Sequence, residues 1–82
     1  MFYVYVIKSI SFDNQVYVGF SSNLKQRIDE HNAGKSIYTK KFKPWKLMYY
    51  EAYLEESLAR DRELKLKQRG KNIQCLKKRL GI

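Results

Sequence analysis

The sequence is poor in cysteine and proline, each of which occurs only once. Cys75 therefore has no partner for an internal disulfide, and no cysteine or histidine lies near it at the spacing of a zinc site. We expect Cys75 to be a small apolar residue of the core, and we expect the protein to be cytoplasmic, where free thiols are usual.

Long apolar segments are absent as well. A transmembrane helix needs about 18 or more consecutive apolar residues, and the sequence has no such run. The N-terminus also lacks the basic segment, followed by an apolar one, that marks secreted proteins. We therefore expect neither a membrane span nor secretion.

The sequence has far fewer acidic than basic residues. The 82 residues include 17 Lys and Arg but only 8 Asp and Glu, which gives a formal net charge of +9. The length and the hydrophobic content of 44% predict a single domain, residues 1–82, with a modest core. A compact domain of this charge is typical of proteins that bind nucleic acid. A membrane surface is the competing anionic partner, but no segment predicts a strongly amphipathic helix with a large aromatic face, so we expect no membrane partner.

Two short runs of β-branched and aromatic residues predict a β-hairpin near the N-terminus. They are residues 2–8 and 15–20, and the residues between them are polar enough to turn the chain. The first run is apolar on both faces, which is typical of a strand in the middle of a sheet. Its two faces carry Phe2, Val4 and Val6, and Tyr3, Tyr5 and Ile7.

The remaining elements are predicted to be three helices and one more strand. A helix over 23–33, with Ser21-Ser22-Asn23 as its N-cap signature, ends at Gly34, and a basic loop follows it. The third strand is predicted over 45–53. The second helix opens at Glu55 and ends at Gln68-Arg69-Gly70, and the last one places Ile73, Leu76 and Leu80 on the core. The order β-β-α-β-α-α predicts an α+β fold with a small three-stranded antiparallel sheet flanked by helices.

The hairpin sequence resembles a known family. Tyr3-Val4-Tyr5-Val6-Ile7 followed by Tyr17-Val18-Gly19 is similar to the paired motif of the GIY-YIG nuclease superfamily, with Tyr3 in place of the usual glycine. The likeness continues through the first helix and the third strand into the second helix, so it covers nearly the whole chain. It is greatest to the small stand-alone, single-domain bacterial branch. The further matching segments are Leu24–Asn32, Gly34-Lys35, Tyr38-Thr39, Leu47–Glu51 and Arg60–Lys65.

This resemblance implies a metal-dependent endonuclease that hydrolyses DNA phosphodiester bonds in DNA repair or processing. It implies that Tyr5 and Tyr17 flank the attacking water and the phosphate, that Arg27 meets the phosphate charge, and that His31 belongs to the same catalytic motif. One divalent ion, Mg²⁺ or Mn²⁺, is implied as the cofactor.

The metal position of the family, normally glutamate, aligns with Asp61. The shorter aspartate is expected to weaken the metal site, because Mg²⁺ is strict about geometry. Glu63, two positions along the helix, is expected to face another direction and not to take over this role.

The chemistry of the residues fits these roles. A guanidinium holds two phosphate oxygens at once, and the Tyr17 phenol can relay a proton from water. Gly19 is expected to let the substrate approach the backbone, since it has no Cβ. Four lysines of the loop, interleaved with Tyr38 and Phe42, are expected to follow a nucleic-acid backbone. They are Lys35, Lys40, Lys41 and Lys43.

Other interpretations remain open at this point. Asp61 can simply pair with Lys65, four residues on, and His31 can be a helix cap or a structural hydrogen-bonding group. The protein can then be a nucleic-acid-binding module whose cleavage activity is weakened, or a protein-interaction domain in which the aromatic strands only pack. For a nuclease of this size, specificity is expected to come either from its loops or from a protein partner that supplies targeting.

Overall fold

A three-stranded antiparallel sheet forms the centre of the computed structural model, which describes residues 1–68 and 71–81. Its strands are β1 (Phe2–Ser9), β2 (Val16–Ser21) and β3 (Trp45–Tyr53). They lie in the order β2-β1-β3, so β1 is the central strand, as its two apolar faces predict. The side chains from Val4 to Ile7 are all buried.

Three helices cover the sheet, and they complete the predicted order β-β-α-β-α-α and the α+β class. Asn23 caps the first helix by accepting a hydrogen bond from the Gln26 backbone N–H at 3.2 Å, and Gly34 follows that helix with a φ of 77°. Arg69 and Gly70, expected to end the second helix, lie outside the described residues. The helices are α1 (Leu24–Asn32), α2 (Glu56–Lys67) and α3 (Lys71–Leu80), and a short 3-10 turn spans Lys40–Phe42.

The two faces of β1 belong to different parts of the core, as the alternation of the strand predicts. Val4 and Val6 pack with Leu66 of α2 and Leu76 of α3. Tyr5, on the other face, belongs to a second cluster that includes residues of α1 and the loop before β3. α2 contacts all three strands, β1 and β2 more than β3, and it packs on the face of the sheet that carries Val4 and Val6.

One expectation about the core is wrong. Cys75 is exposed on α3 and is not an apolar filler. Its helix packs on the sheet through Leu76, which directly follows it and is 4% exposed. Neighbouring residues of a helix point in directions about 100° apart, so only one of the two can face the core. Within residues 1–68 and 71–81, none of the helices has the length and apolar character needed to cross a bilayer.

Candidate active site

Tyr5 is buried against the backbone of Gly19, although its hydroxyl is polar. The two residues are paired in the β1–β2 ladder, and Tyr5 is 1% exposed. A Cβ atom at residue 19 would overlap the hydroxyl and ring of Tyr5. Gly19 therefore makes room for the Tyr5 phenol. This corrects the expectation that Gly19 leaves its space open to the substrate.

His31 of α1 connects Tyr5 to the loop before β3. Its Nε2 lies 2.7 Å from the Tyr5 hydroxyl, and its Nδ1 lies 2.6 Å from Thr39 Oγ1. The Trp45 indole N–H in turn donates to the Thr39 carbonyl at 2.9 Å. Burial, together with the charge of Arg27, lowers the pKa of His31 to about 4, so the imidazole is neutral at physiological pH. This environment favours a hydrogen-bonding role for His31, one of the two alternatives that the sequence left open.

Burial and several neighbouring groups change the pKa of the Tyr5 hydroxyl. Burial raises this pKa to about 12, and the hydrogen bond and charge of Arg27 act in the opposite direction. Tyr17 and the carboxylate of Glu63 raise it further. Tyr5 therefore keeps its proton at neutral pH and acts as a hydrogen-bonding group. The residues that alter its pKa belong to β2 (Tyr17), α1 (Arg27) and α2 (Glu63).

Arg27 extends from α1 toward Tyr5. Its guanidinium also forms an ion pair with Glu30, at 3.0 Å between Nη1 and Oε1, and this pairing holds the pKa of Glu30 below its usual range. The Arg27 side chain is 32% exposed. A guanidinium has five N–H donors, and its contacts with Tyr5 and Glu30 leave some of them for a phosphate group.

Tyr17 packs in an aromatic group next to Tyr5. Its ring centroid lies 5.2 Å from that of His31, 6.5 Å from that of Trp45 and 6.4 Å from that of Tyr38. The Lys67 ammonium of α2 lies 5.7 Å from the Tyr17 ring centroid. The structure therefore brings Tyr5, Tyr17, Arg27 and His31 together, as the sequence predicts.

Asp61 is not part of this group, and its predicted placement beside the tyrosines is wrong. Ala59 and Leu66 mark the buried face of α2. At about 100° per residue, Asp61 points away from both of them. Its carboxylate is exposed and pairs with Lys65 at 2.9 Å, which is the alternative that the sequence had left open.

Glu63 is the acidic residue of α2 that lies at the site. It is four residues after Ala59 and three before Leu66, so it shares their face of the helix. Its side chain is 15% exposed and forms an ion pair with Lys67 at 3.0 Å. The sequence prediction set Glu63 aside because it lies two positions from Asp61 and faces another direction; the buried Ala59 and Leu66 show that this direction is toward the sheet.

The four loop lysines are all exposed between α1 and β3. The charge of Lys35 contributes to the lowered pKa of Glu30, so Lys35 lies near the Arg27–Glu30 pair. Lys40 and Lys41 belong to the 3-10 turn, and Lys43 follows it. Contact of these lysines with nucleic acid stays a prediction.

The residues at the site fit a metal ion that needs only one or two carboxylate ligands from the protein, such as Mg²⁺. Among the residues that the structure describes, no group of three or more His, Cys, Asp and Glu side chains could hold a metal. Mg²⁺ does not need such a group, because it keeps several waters and binds one or two carboxylates together with substrate phosphates. The largely buried Glu63 carboxylate fits this requirement, whereas the exposed Asp61 does not lie at the site.

Comparison with known proteins agrees with the fold and the motif. A family model described as the GIY-YIG catalytic domain matches residues 1–78. A UPF0213 protein of Staphylococcus haemolyticus is 42% identical over 66 residues, which cover 79% of this chain and 78% of the relative. UPF0213 proteins of Pediococcus pentosaceus and Staphylococcus aureus are 38% and 34% identical over 80 residues, which cover 94% of this chain and 82% and 95% of the relatives. No solved structure matches the chain at a significant level.

Proposed function

The chain belongs to the GIY-YIG catalytic domain family, and from this premise we propose that it is a metal-dependent endonuclease that hydrolyses DNA phosphodiester bonds. One observation carries the proposal: the Lys67 ammonium, paired with Glu63 at 3.0 Å, lies 5.7 Å from the ring centroid of Tyr17. Tyr17 in turn packs on His31, the hydrogen-bond partner of Tyr5, and Arg27 lies near the Tyr5 hydroxyl. A cation for the phosphate and a carboxylate for a metal ion thus meet beside the tyrosines. This is the set of groups that attack on an anionic phosphodiester requires.

Arg27 is proposed to bind the phosphate. Its planar guanidinium can hold two phosphate oxygens and never loses its charge at physiological pH. The contacts with Tyr5 and Glu30 fix the orientation of this group before the substrate arrives. His31, hydrogen-bonded to the Tyr5 hydroxyl, is proposed to position Tyr5 and so to act through it.

Tyr17 is proposed to contact the attacking water. Unlike Tyr5, it is only partly buried, and it lines the open groove beside the site. The rings of His31 and Trp45 hold its position. A phenol beside cationic groups can relay a proton from water, and Arg27 and Lys67 are the cations near this pair of tyrosines.

Glu63 is proposed to hold one Mg²⁺ or Mn²⁺ ion. When bound, such an ion supplies positive charge to the phosphate and the reacting oxygens. The ion pair with Lys67 indicates that the Glu63 carboxylate attracts a cation at this position. An aspartate at the metal position was the reason to expect a weakened nuclease. If Glu63 holds the metal ion instead of Asp61, that reason no longer applies.

Two matched variants of α2 test the proposal in a plasmid-nicking assay with Mg²⁺ or Mn²⁺. Glu63 and Asp61 each form an ion pair with a lysine four residues later, but only Glu63 lies at the site. We expect Glu63→Gln to lower the cleavage rate by roughly 100-fold or more, and Asp61→Asn to change it by less than about 3-fold. Absence of nicking by the unaltered protein with either metal would refute the proposed activity. Loss of activity in Asp61→Asn alone would refute the role of Glu63.

A further inference from the structure

A groove of about 670 Å³ lies beside Tyr17, where β2 faces α2 and α3. Its volume falls within the range of roughly 300–1,000 Å³ that is typical of pockets for small-molecule-sized groups. Its apolar part consists of Val16, Val18, Leu66 and Ile73. The rest of the lining is aromatic, amide or cationic: Tyr17, Tyr38, Lys67, Gln68, Gln74 and Lys77.

The lining has the chemistry that a nucleotide requires. The described residues that line it include two lysines and no acidic residue, which favours an anionic group such as a phosphate. Tyr38 is 79% exposed, so most of its ring is available for stacking. The amide side chains of Gln68 and Gln74 each offer a donor and an acceptor, as is needed to bind the edge of a base.

The groove is continuous with the proposed active site. Tyr17 belongs to both, and Lys67 of the groove forms the ion pair with Glu63. A strand whose phosphate binds at Arg27 and Glu63 therefore has this groove next to it. The nucleotide next to the cleaved bond can therefore enter the groove.

We propose that this groove binds an unpaired nucleotide, so that the protein recognises single-stranded DNA at the cleavage site in preference to a continuous duplex. The inference rests on the proposed endonuclease function and specifies its substrate. In a duplex, the faces of the bases are stacked on their neighbours and their pairing edges are occupied. Only an unpaired base can present its face to Tyr38 and its edge to Gln68 or Gln74, as aromatic platforms of single-strand-binding proteins require.

Binding in EDTA tests the groove without cleavage. Fluorescence anisotropy compares a labelled single-stranded oligonucleotide with a duplex of the same sequence. We expect the single strand to bind more tightly, and Tyr38→Ala to weaken its binding by roughly 5- to 100-fold while changing duplex binding by less than about 2-fold. Tyr50→Ala is the matched control, because Tyr50 is also an exposed tyrosine, at 53%, but does not line the groove.

A second pair of variants tests the cationic side of the groove. Lys77 lines it, whereas the next residue, Lys78, is exposed and does not. We expect Lys77→Ala to weaken binding of the single strand more than Lys78→Ala does, although both remove one charge. Equal effects of the two variants would contradict the proposal, and so would equal effects of Tyr38→Ala and Tyr50→Ala.

The experiment separates failure of the groove from failure of the proposed function. Tyr38-dependent binding of the single strand by a protein that cuts no DNA with Mg²⁺ or Mn²⁺ would support the groove and refute the nuclease. Metal-dependent cleavage by a protein that binds single strand and duplex equally, with no effect of Tyr38→Ala, would support the nuclease and refute the groove.

Discussion

At the scale of single residues, burial decides what the ionisable groups of the site can do. Tyr5 and His31 are both almost inaccessible to water, and burial shifts the pKa of each away from neutrality. Each group therefore stays uncharged near pH 7. Both are therefore neutral neighbours of Arg27, whose charge is proposed to bind a phosphate.

The first prediction concerns the pH dependence of stability that His31 produces. Its pKa is about 4 in the folded protein and about 6.5 when unfolded, so the unfolded chain binds the extra proton first as the pH falls. The contribution of His31 is therefore fully present above about pH 6.5 and is lost progressively toward pH 4. We expect the free energy of unfolding to fall by about 2 kcal/mol between pH 7 and pH 5 from this group, measured by urea denaturation.

His31→Gln is the control for this measurement. The variant lacks the titrating imidazole but retains an amide that can form hydrogen bonds. We expect it to be less stable than the unaltered protein at pH 7 and to lose about 2 kcal/mol less between pH 7 and pH 5. The same loss of stability with pH in both proteins would contradict the assignment to His31.

At the scale of the elements, the orientation of α2 about its own axis decides which acid reaches the site. Arg62 donates to Glu51 of β3 from Nε at 2.9 Å and from Nη2 at 3.1 Å. The hydroxyls of Tyr49 and Tyr53 donate to the same carboxylate at 2.6 and 2.5 Å. These contacts with Glu51 form an anchor that holds Arg62 on the sheet. Because Arg62 directly precedes Glu63, the anchor also fixes the direction of the Glu63 side chain.

The second prediction concerns this anchor. Burial tends to raise the pKa of Glu51, but the hydrogen bonds from Arg62 and the two tyrosines hold it below its usual range. The Glu51 and Arg62 side chains are 17% and 29% exposed. We expect Glu51→Gln to lower the free energy of unfolding by about 1–3 kcal/mol, because it leaves Arg62 without its ionic partner.

Asp61→Asn is the control for Glu51→Gln, since it also removes one carboxylate that pairs with a basic residue of α2. That pair is exposed, and breaking it is expected to change the stability by less than about 0.5 kcal/mol. Urea denaturation of both variants measures the difference. Equal losses in the two variants would show that Glu51 does not anchor α2.

At the scale of the whole molecule, the positive charge and the position of the site act together. The site includes Tyr17 of β2 together with Arg27 and His31 of α1, and β2 and β3 are the two edge strands of the sheet. The net charge of +9 favours an anionic partner for the protein as a whole. In the proposed function, the residues of the site then bind the phosphate backbone.

The third prediction concerns the salt dependence of DNA binding. Each lysine that neutralises a phosphate adds about 0.7–0.9 to the slope of log affinity against log salt concentration. We expect Lys41→Ala, in the exposed loop, to reduce this slope by about that amount. Lys46→Ala, on the β3 edge, is the control and should leave the slope unchanged. Equal slopes for the two variants would contradict the predicted role of the loop.

The sequence by itself determined the elements and the family. Alternation of apolar residues in β1 predicted a strand covered on both faces, and Asn23 and Gly34 marked where α1 begins and ends. These signals are local, because strand periodicity and helix caps depend on residues that are close in the chain. The same is true of the paired tyrosine motif, which brings Tyr5 and Tyr17 to adjacent strands.

Only the tertiary structure decided which side of each element is functional. Leu58, Asp61 and Lys65 share one face of α2 by their helical spacing, but Leu58 is 53% exposed and this face lies in solvent. Ala59 lies on the buried face of α2. Its small side chain allows the helix to pack closely against the sheet at this point. Two positions along a helix turn a side chain by about 200°, so the orientation of α2 moves the proposed metal ligand from Asp61 to Glu63. No local sequence pattern predicts which face of α2 is buried, because this depends on contacts between α2 and strands that are distant in the chain.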